Sequence, residues 1–305
     1  MRNMAQDYHR AGGEMARPEF TIGELADRFL DHLLEARDCS PLTIKAYRGD
    51  IEQFRKFLAN RGHPETVSQI DSPVIYEFDD ELRGIKPATR RRKMHALSSF
   101  FKYAIRRGYA STNPVAGLEL PKRKHRLHTY LTADEISRLL QAVVTPIERA
   151  ILTTLIYTGT RKAELIGIDQ GDIDWDHGVL RVRGKGGKER AINLHPQCSE
   201  AILDYLKFRR ETNSPALFLN SVGKRLCPTF VQNLFQRCLR RAGLRAKGYT
   251  IHTLRHTFAT MLCQSGVDLC TVRDIMGHAD ISTTAIYAHS SSQLRRDAVE
   301  GLPRF

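Results

Sequence analysis

Apolar residues recur at helical spacing along the first third of the chain. Ile22, Leu25, Ala26, Phe29, Leu30, Leu33 and Leu34 form one stripe, which predicts an amphipathic helix over 21–37. Thr21, followed three residues later by Glu24, supplies a capping box for its first N–H groups. Ser40-Pro41 opens a second helix, with proline at the first helical position, where no N–H is needed. Its stripe is Ile44, Tyr47, Ile51, Phe54, Phe57 and Leu58, and Gly62 closes it. Ser72-Pro73 opens a shorter third helix that closes at Gly84. Pro87 opens a fourth, with Met94, Leu97, Phe100, Phe101, Ala104 and Ile105 inward and Gly108 at the end. Four amphipathic helices with short connections predict a small helical bundle.

The pattern changes after Leu131. Thr132 and Glu135 form a second capping box ahead of Ile136, Leu139 and Leu140. A very apolar helix runs from Ile147 to about Tyr157, Gly159 breaks it, and Thr160 starts another through Leu165. Ile173-Asp174-Trp175, Val179 to Arg183 and Arg190 to Leu194 then alternate with period two between turn residues, as in a three-stranded sheet. Helices are expected near 197–211, 228–242, 253–265, 268–276, 281–288 and 291–299. The fold class is therefore mainly α with one small antiparallel sheet, α+β. The expected division is a disordered N-terminus over 1–18, a helical domain over 19–109, a linker over 110–130 and a second domain over 131–305.

Charge adds a partner. The 305 residues carry 47 Lys+Arg against 34 Asp+Glu, a net +13, with 41% hydrophobic residues, as in an ordinary globular protein. Between Arg83 and Arg126 there are thirteen Lys or Arg and one acid, Glu119, so these 44 residues hold +12 and the other 261 only +1. Such clustering is the electrostatic footprint of a nucleic-acid surface. Arg90, Arg91, Arg92 and Lys93 stand at the start of the fourth helix and Arg106 and Arg107 at its end. Cations at a helix N-terminus oppose the macrodipole, a penalty that an external anion would remove. Lys122, Arg123 and Lys124 make the linker basic as well. The N-terminus lacks the apolar core of a signal peptide, and no run approaches the ~20 apolar residues of a membrane span. A cytoplasmic, nucleoid-associated protein without membrane contact is expected. The six cysteines show no C-x-x-C pair and are expected to be reduced and structural.

Four local patterns in the second domain carry candidate chemistry. Thr158-Gly159-Thr160-Arg161-Lys162-Ala163-Glu164-Leu165 places Arg161 at a helix start after a glycine break. Gly184-Lys185-Gly186-Gly187-Lys188-Glu189-Arg190 forms a hairpin whose tip lysine can reach a phosphate or donate a proton. It lacks the Walker spacing. His252-Thr253-Leu254-Arg255-His256 puts His252 and Arg255 on one helix face, two donors suited to a phosphate. Met276-Gly277-His278 is followed nine residues later by Tyr287. Taken singly, each pattern also fits an unremarkable salt bridge, turn or core aromatic.

In this order and spacing the four patterns resemble the tyrosine recombinase (phage integrase) family, in particular its simple two-domain Xer-type members, over about residues 20 to 300. The departures are Ala163 where serine is usual and Met276 where leucine usually precedes Gly-His. The resemblance implies a SAM-like core-binding bundle followed by a tyrosine-recombinase catalytic domain. It implies that Tyr287 attacks a DNA phosphodiester to form a 3′-phosphotyrosyl link. Arg161 and Arg255 would clamp the non-bridging oxygens, and Lys185 would protonate the leaving 5′-oxygen. His252 and His278 would complete the pocket, with Glu164 supporting it. It further implies double-stranded DNA with a specific recombination site as partner. A homotetramer would act on two sites, alone or with a paralogous recombinase, through a Holliday junction. The helix after Tyr287, anchored by Leu294, Val299 and Leu302, would dock on a neighbouring protomer. The two domains would clamp the duplex between them. No cofactor, metal or small-molecule substrate is expected.

Two arginines and a lysine can neutralise a phosphodiester transition state without a metal. The best metal candidate, Asp172, Asp174 and Asp176, departs from a calcium loop and reads as the polar face of a strand and turn. Rival readings are a non-catalytic DNA-binding regulator on the same scaffold and a type IB topoisomerase-like enzyme. The regulator would not need Tyr287, Lys185 and both arginines together. The topoisomerase would relax supercoiled DNA without a target site.

Overall fold

The computed structural model describes residues 19–36, 39–120, 129–184 and 187–277. The chain divides into two compact units, Met1–His125 and Arg126–Phe305. Unit 1 is built from α1 (Ile22–Glu35), α2 (Pro41–Arg61), α3 (Ser72–Glu81) and α4 (Pro87–Arg106). The Thr21–Glu24 capping box forms at the start of α1. Phe29, Phe54, Phe78, Phe100 and Phe101 are fully buried and meet at tilted or edge-to-face angles, with Phe29 and Phe100 centroids 5.7 Å apart.

The expected linker begins as part of this unit. Ala110 and Val115 are buried in its core, Leu118 and Leu120 pack against it, and Asn113 donates to the Ser98 hydroxyl at 3.0 Å. Asn113-Pro114 reads as a loop, but the apolar residues around it cover core surface that the helices alone leave open. Lys122, Arg123 and Lys124 lie outside the described residues, as do the segments 281–288 and 291–299.

Unit 2 is mainly helical around a small three-stranded sheet. It contains α5 (Ala133–Gln141), α6 (Pro146–Thr158), α7 (Lys162–Gly167), β1 (Ile173–Asp174), β2 (Val179–Arg183) and β3 (Glu189–Asn193). These are followed by α8 (Pro196–Phe208), α9 (Pro228–Arg241), α10 (Ile251–Gln264) and α11 (Leu269–Met276). α6 is buried along most of its length and packs against α8 and α10. The strands run antiparallel in the order β1-β2-β3, with Ile173 opposite Leu180 and Val182 opposite Arg190. α10 starts two residues earlier than its apolar pattern suggests, because the Thr253 hydroxyl accepts the Thr250 N–H at 2.9 Å. His252 therefore belongs to the first turn of the helix.

One glycine fixes how α6 meets α10. Gly159 ends α6 in the left-handed region at φ 56°, and a Cβ there would lie 2.4 Å from Phe258 Cδ1. Gly62 ends α2 at φ 72° with nothing within 4 Å of such an atom. Gly62→Ala is expected to cost ~1–2 kcal/mol from the left-handed backbone alone. Gly159→Ala should cost ~1–3 kcal/mol more from overpacking. Urea denaturation of both variants measures the difference, and equal losses would mean that the Phe258 contact constrains nothing.

Candidate functional site

After Gly159 the chain turns through buried Thr160 to Arg161, whose extended backbone caps α7. Glu164, one turn into α7, accepts the Arg161 backbone N–H at 2.8 Å and Arg161 Nη1 at 2.6 Å. From β3, Arg190 donates Nη2 at 2.9 Å and Nη1 at 3.2 Å to the same carboxylate. Arg255 Nη1 stands 4.0 Å away. Glu164 is buried, and burial alone would raise its pKa. The hydrogen bonds from Arg190 and Arg161 and the Arg190 charge outweigh that and hold it at about 2. Glu164 is therefore an anion throughout the neutral range.

Arg255 is buried on α10 and donates to two helix ends at once, through Nη1 to the Gly159 carbonyl and through Nη2 to the Met276 carbonyl. Carbonyls at helix C-termini lack intrahelical donors and carry partial negative charge, so a guanidinium suits both. Gly277 then leaves α11 in the left-handed region. His252, one turn before Arg255, is exposed on the surface of α10. Its pKa is lowered, first by partial desolvation and then by the charges of Arg255, Lys162 and Arg161. The ring is thus held neutral, able to accept a proton, among three cations.

Arg161, His252 and Arg255 are therefore brought together on unit 2. Lys185, His278 and Tyr287 lie outside the described residues. The structure adds two groups that the motif reading left without a role, Arg190 and Lys162. Strand alternation offered a signal for Arg190: it shares the inward parity of Ile192 and pairs with buried Val182. The acidic turn has its own partners. Asp172 pairs with Arg183, and Asp174 accepts the backbone N–H groups of Asp176 and His177 at 3.1 Å.

The cationic run on α4 is distributed differently from expectation. Arg90 forks onto buried Asp79, and Arg92 and Lys93 both bind buried Asp50, the lysine at 2.8 Å. Internal carboxylates, not only an external anion, relieve the unfavourable charge at this helix start. Among the described residues no carboxylate pairs with Arg91, which is half-buried. Arg106 and Arg107 are exposed at the other end of α4, with Arg107 over the Tyr103 ring at 5.7 Å.

Comparison with known proteins agrees with this layout. The profile of the phage integrase family matches residues 129–293, and that of the phage integrase N-terminal SAM-like domain matches residues 26–108. The chain is 37% identical over 271 residues to tyrosine recombinase XerC of Pelobacter propionicus, covering 85% of this chain and 88% of that one. It is 36% identical to tyrosine recombinase XerC of Caldanaerobacter subterraneus subsp. tengcongensis, covering 92% and 86%. The fold superposes on the XerH site-specific recombinase bound to a palindromic difH substrate with a TM-score of 0.72 at 23% identity, over 90% of this chain and 84% of that one.

A carboxylate held this low in the folded state stabilises the protein above the ordinary glutamate value near 4.5, and that stability is lost as pH falls through about 2. Glu164→Gln should lower stability at pH 7 by about 3 kcal/mol, because Arg190 loses its charged partner. It should also flatten the fall in stability between pH 5 and pH 2, at about those limits, relative to the parent. Urea midpoints across that range read both effects, and parallel curves would contradict the assignment.

Proposed function

The chain belongs to the phage integrase family of tyrosine recombinases and is a site-specific recombinase that breaks and rejoins DNA, and from that premise we propose the following course of reaction. Tyr287 attacks the scissile phosphorus, the bond to the 5′-oxygen breaks, and a 3′-phosphotyrosyl ester forms. Lys185 gives its proton to the departing 5′-oxygen. His252 takes the proton from the phenol, which at pKa ≈ 10 is otherwise a weak nucleophile. Arg161 and Arg255 hold the non-bridging oxygens as charge gathers on them, with His278 completing the pocket. The ester keeps the bond energy, so a 5′-hydroxyl from the partner strand reseals the backbone by the reverse step. No cofactor or metal takes part in this scheme.

The observation that carries the reading is the convergence of Arg161 and Arg255 on one buried carboxylate, beside an imidazole held neutral. A guanidinium pair presents planar, fixed donors for phosphate oxygens. Arg161 keeps 40% of its side chain exposed and is the solvent-facing member of the pair, while Arg255 is buried behind it.

Residues 19–109 act as the core-binding domain and 131–305 as the catalytic domain, on one duplex carrying a recombination site. Four protomers, of this chain alone or with a paralogue, assemble on two sites and pass through a Holliday junction. The segment after Tyr287, with Leu294, Val299 and Leu302, docks on a neighbouring protomer. The protein works in the cytoplasm on nucleoid DNA. On unit 1, Arg91, Arg106 and Arg107 contact phosphates, with Lys122, Arg123 and Lys124 following. Arg90, Arg92 and Lys93 act through Asp79 and Asp50 to shape that surface, Arg92 with its outer edge on the DNA.

Two measurements test this. On a suicide duplex built around the sequence that the protein selects from a random library, the parent should form a covalent protein–DNA adduct and Tyr287→Phe none. An adduct that survives the substitution removes the nucleophile assignment. DNA affinity should fall steeply with salt, with slope about −0.9 per phosphate contacted. Neutralising Arg91, Arg106 or Arg107 should each lessen that slope by about 1. Arg90→Gln and Lys93→Gln should lower stability more than slope, and a flat salt response would overturn the surface.

A further inference from the structure

The catalytic scheme gives Arg190 no part, yet it shares the Glu164 carboxylate with the two arginines that perform it. Its side chain is 11% exposed, on the inward face of β3. Its guanidinium donates Nη1 and Nη2 to Glu164, and Nε to the Ile275 carbonyl at 2.9 Å. The next carbonyl along, Met276, accepts from Arg255. Arg190 and Arg255 thus grip adjacent carbonyls at the end of α11 and face the same carboxylate, which also holds Arg161. One glycine closes over this group. A Cβ on Gly277 would lie 3.1 Å from Arg190 Nη1 and 3.2 Å from its Cδ. Gly277 therefore also makes room for the Arg190 side chain.

The charge balance gives the arrangement a purpose. Arg161, Arg190 and Arg255 surround the single carboxylate of Glu164, so the group carries two net positive charges. Without Arg190, a dry anion would be left to Arg161 and Arg255 alone, and one net charge would remain. Glu164 would then draw both guanidiniums inward, away from a phosphate. In a low-dielectric site such competition is strong.

We propose that Arg190 is a positioning residue for the reaction: by occupying Glu164 and anchoring the end of α11, it keeps Arg161 and Arg255 turned toward the scissile phosphate. This rests on the reading that those two arginines bind that phosphate. It assigns Arg190 no contact with DNA and no proton to carry.

The test uses full-length protein on the selected suicide duplex and compares the parent, Arg190→Gln, Arg190→Lys, Glu164→Gln and the Arg190→Gln/Glu164→Gln pair. Adduct formation is timed at saturating DNA, and DNA affinity is measured separately. Arg190→Gln should slow adduct formation about 10–100-fold, the scale of a misplaced donor, with affinity changed less than about threefold. Adding Glu164→Gln removes the anion that Arg190 balances, so the double variant should cleave at least about tenfold faster than Arg190→Gln. Arg190→Lys keeps the charge but cannot bridge Glu164 and Ile275 together, and should fall between Arg190→Gln and the parent. If Arg190→Gln does not fold, Arg190→Lys alone and with Glu164→Gln carries the same comparison. Additive losses in the double variant, or parent-like cleavage by the folded Arg190 variants, overturn the inference and leave the function standing. No adduct from the parent removes both.

Discussion

Unit 2 depends on one buried anion. Glu164 is the only carboxylate within ion-pair distance of Arg161, Arg190 and Arg255 among the described residues. Each of these arginines comes from a different element: the turn before α7, β3 and α10. A carboxylate withdrawn from water is tolerable only when its lone pairs are filled and its charge is met. Satisfying Glu164 therefore joins three stretches of chain that lie up to 94 residues apart, from Arg161 to Arg255. Arg161 and Arg255 inherit their positions from that requirement.

The same logic governs unit 1 with the opposite emphasis. There a helix begins with a run of cations where its dipole is already positive. Asp50 and Asp79, themselves buried, take up Arg92, Lys93 and Arg90. Composition overstated how much of the basic segment is available to a polyanion, because formal charge counts paired and unpaired groups alike. What remains without an internal carboxylate among the described residues is a smaller set, half-buried Arg91 and exposed Lys102 and Arg106 on α4 and Arg107 at its C-cap, with the exposed edge of Arg92.

Recombination chemistry suits this design. A phosphotyrosyl exchange forms and breaks equivalent bonds, so the protein supplies charge and position rather than energy. Fixed guanidiniums cost no reorganisation as the transition state forms. A neutral His252 among cations can accept a proton and does not add to the repulsion. Carbonyls at the ends of α6 and α11 hold Arg255 rigid without lowering its charge.

The described helices of both units were legible because their stripes repeat every three to four residues and their caps are local: Thr21–Glu24 and Thr132–Glu135 form as the spacing demands. The antiparallel sheet was legible from alternation, and the chemistry from the order and spacing of four motifs. Three things were not legible. Residues 110–120 belong to the first core, since covering apolar surface is a property of the folded bundle and not of Asn113-Pro114. Half of the α4 run is paired internally, because Asp50 and Asp79 lie up to 43 residues from their cations. Arg190 is a member of the arginine group only because β3 turns it inward onto Glu164, 26 residues back in the chain. Sequence by itself determined which elements form and which reactive groups are present, as both depend on near neighbours and residue type. Tertiary structure alone decided which charges meet, because electrostatic pairing acts through space and burial makes it strong.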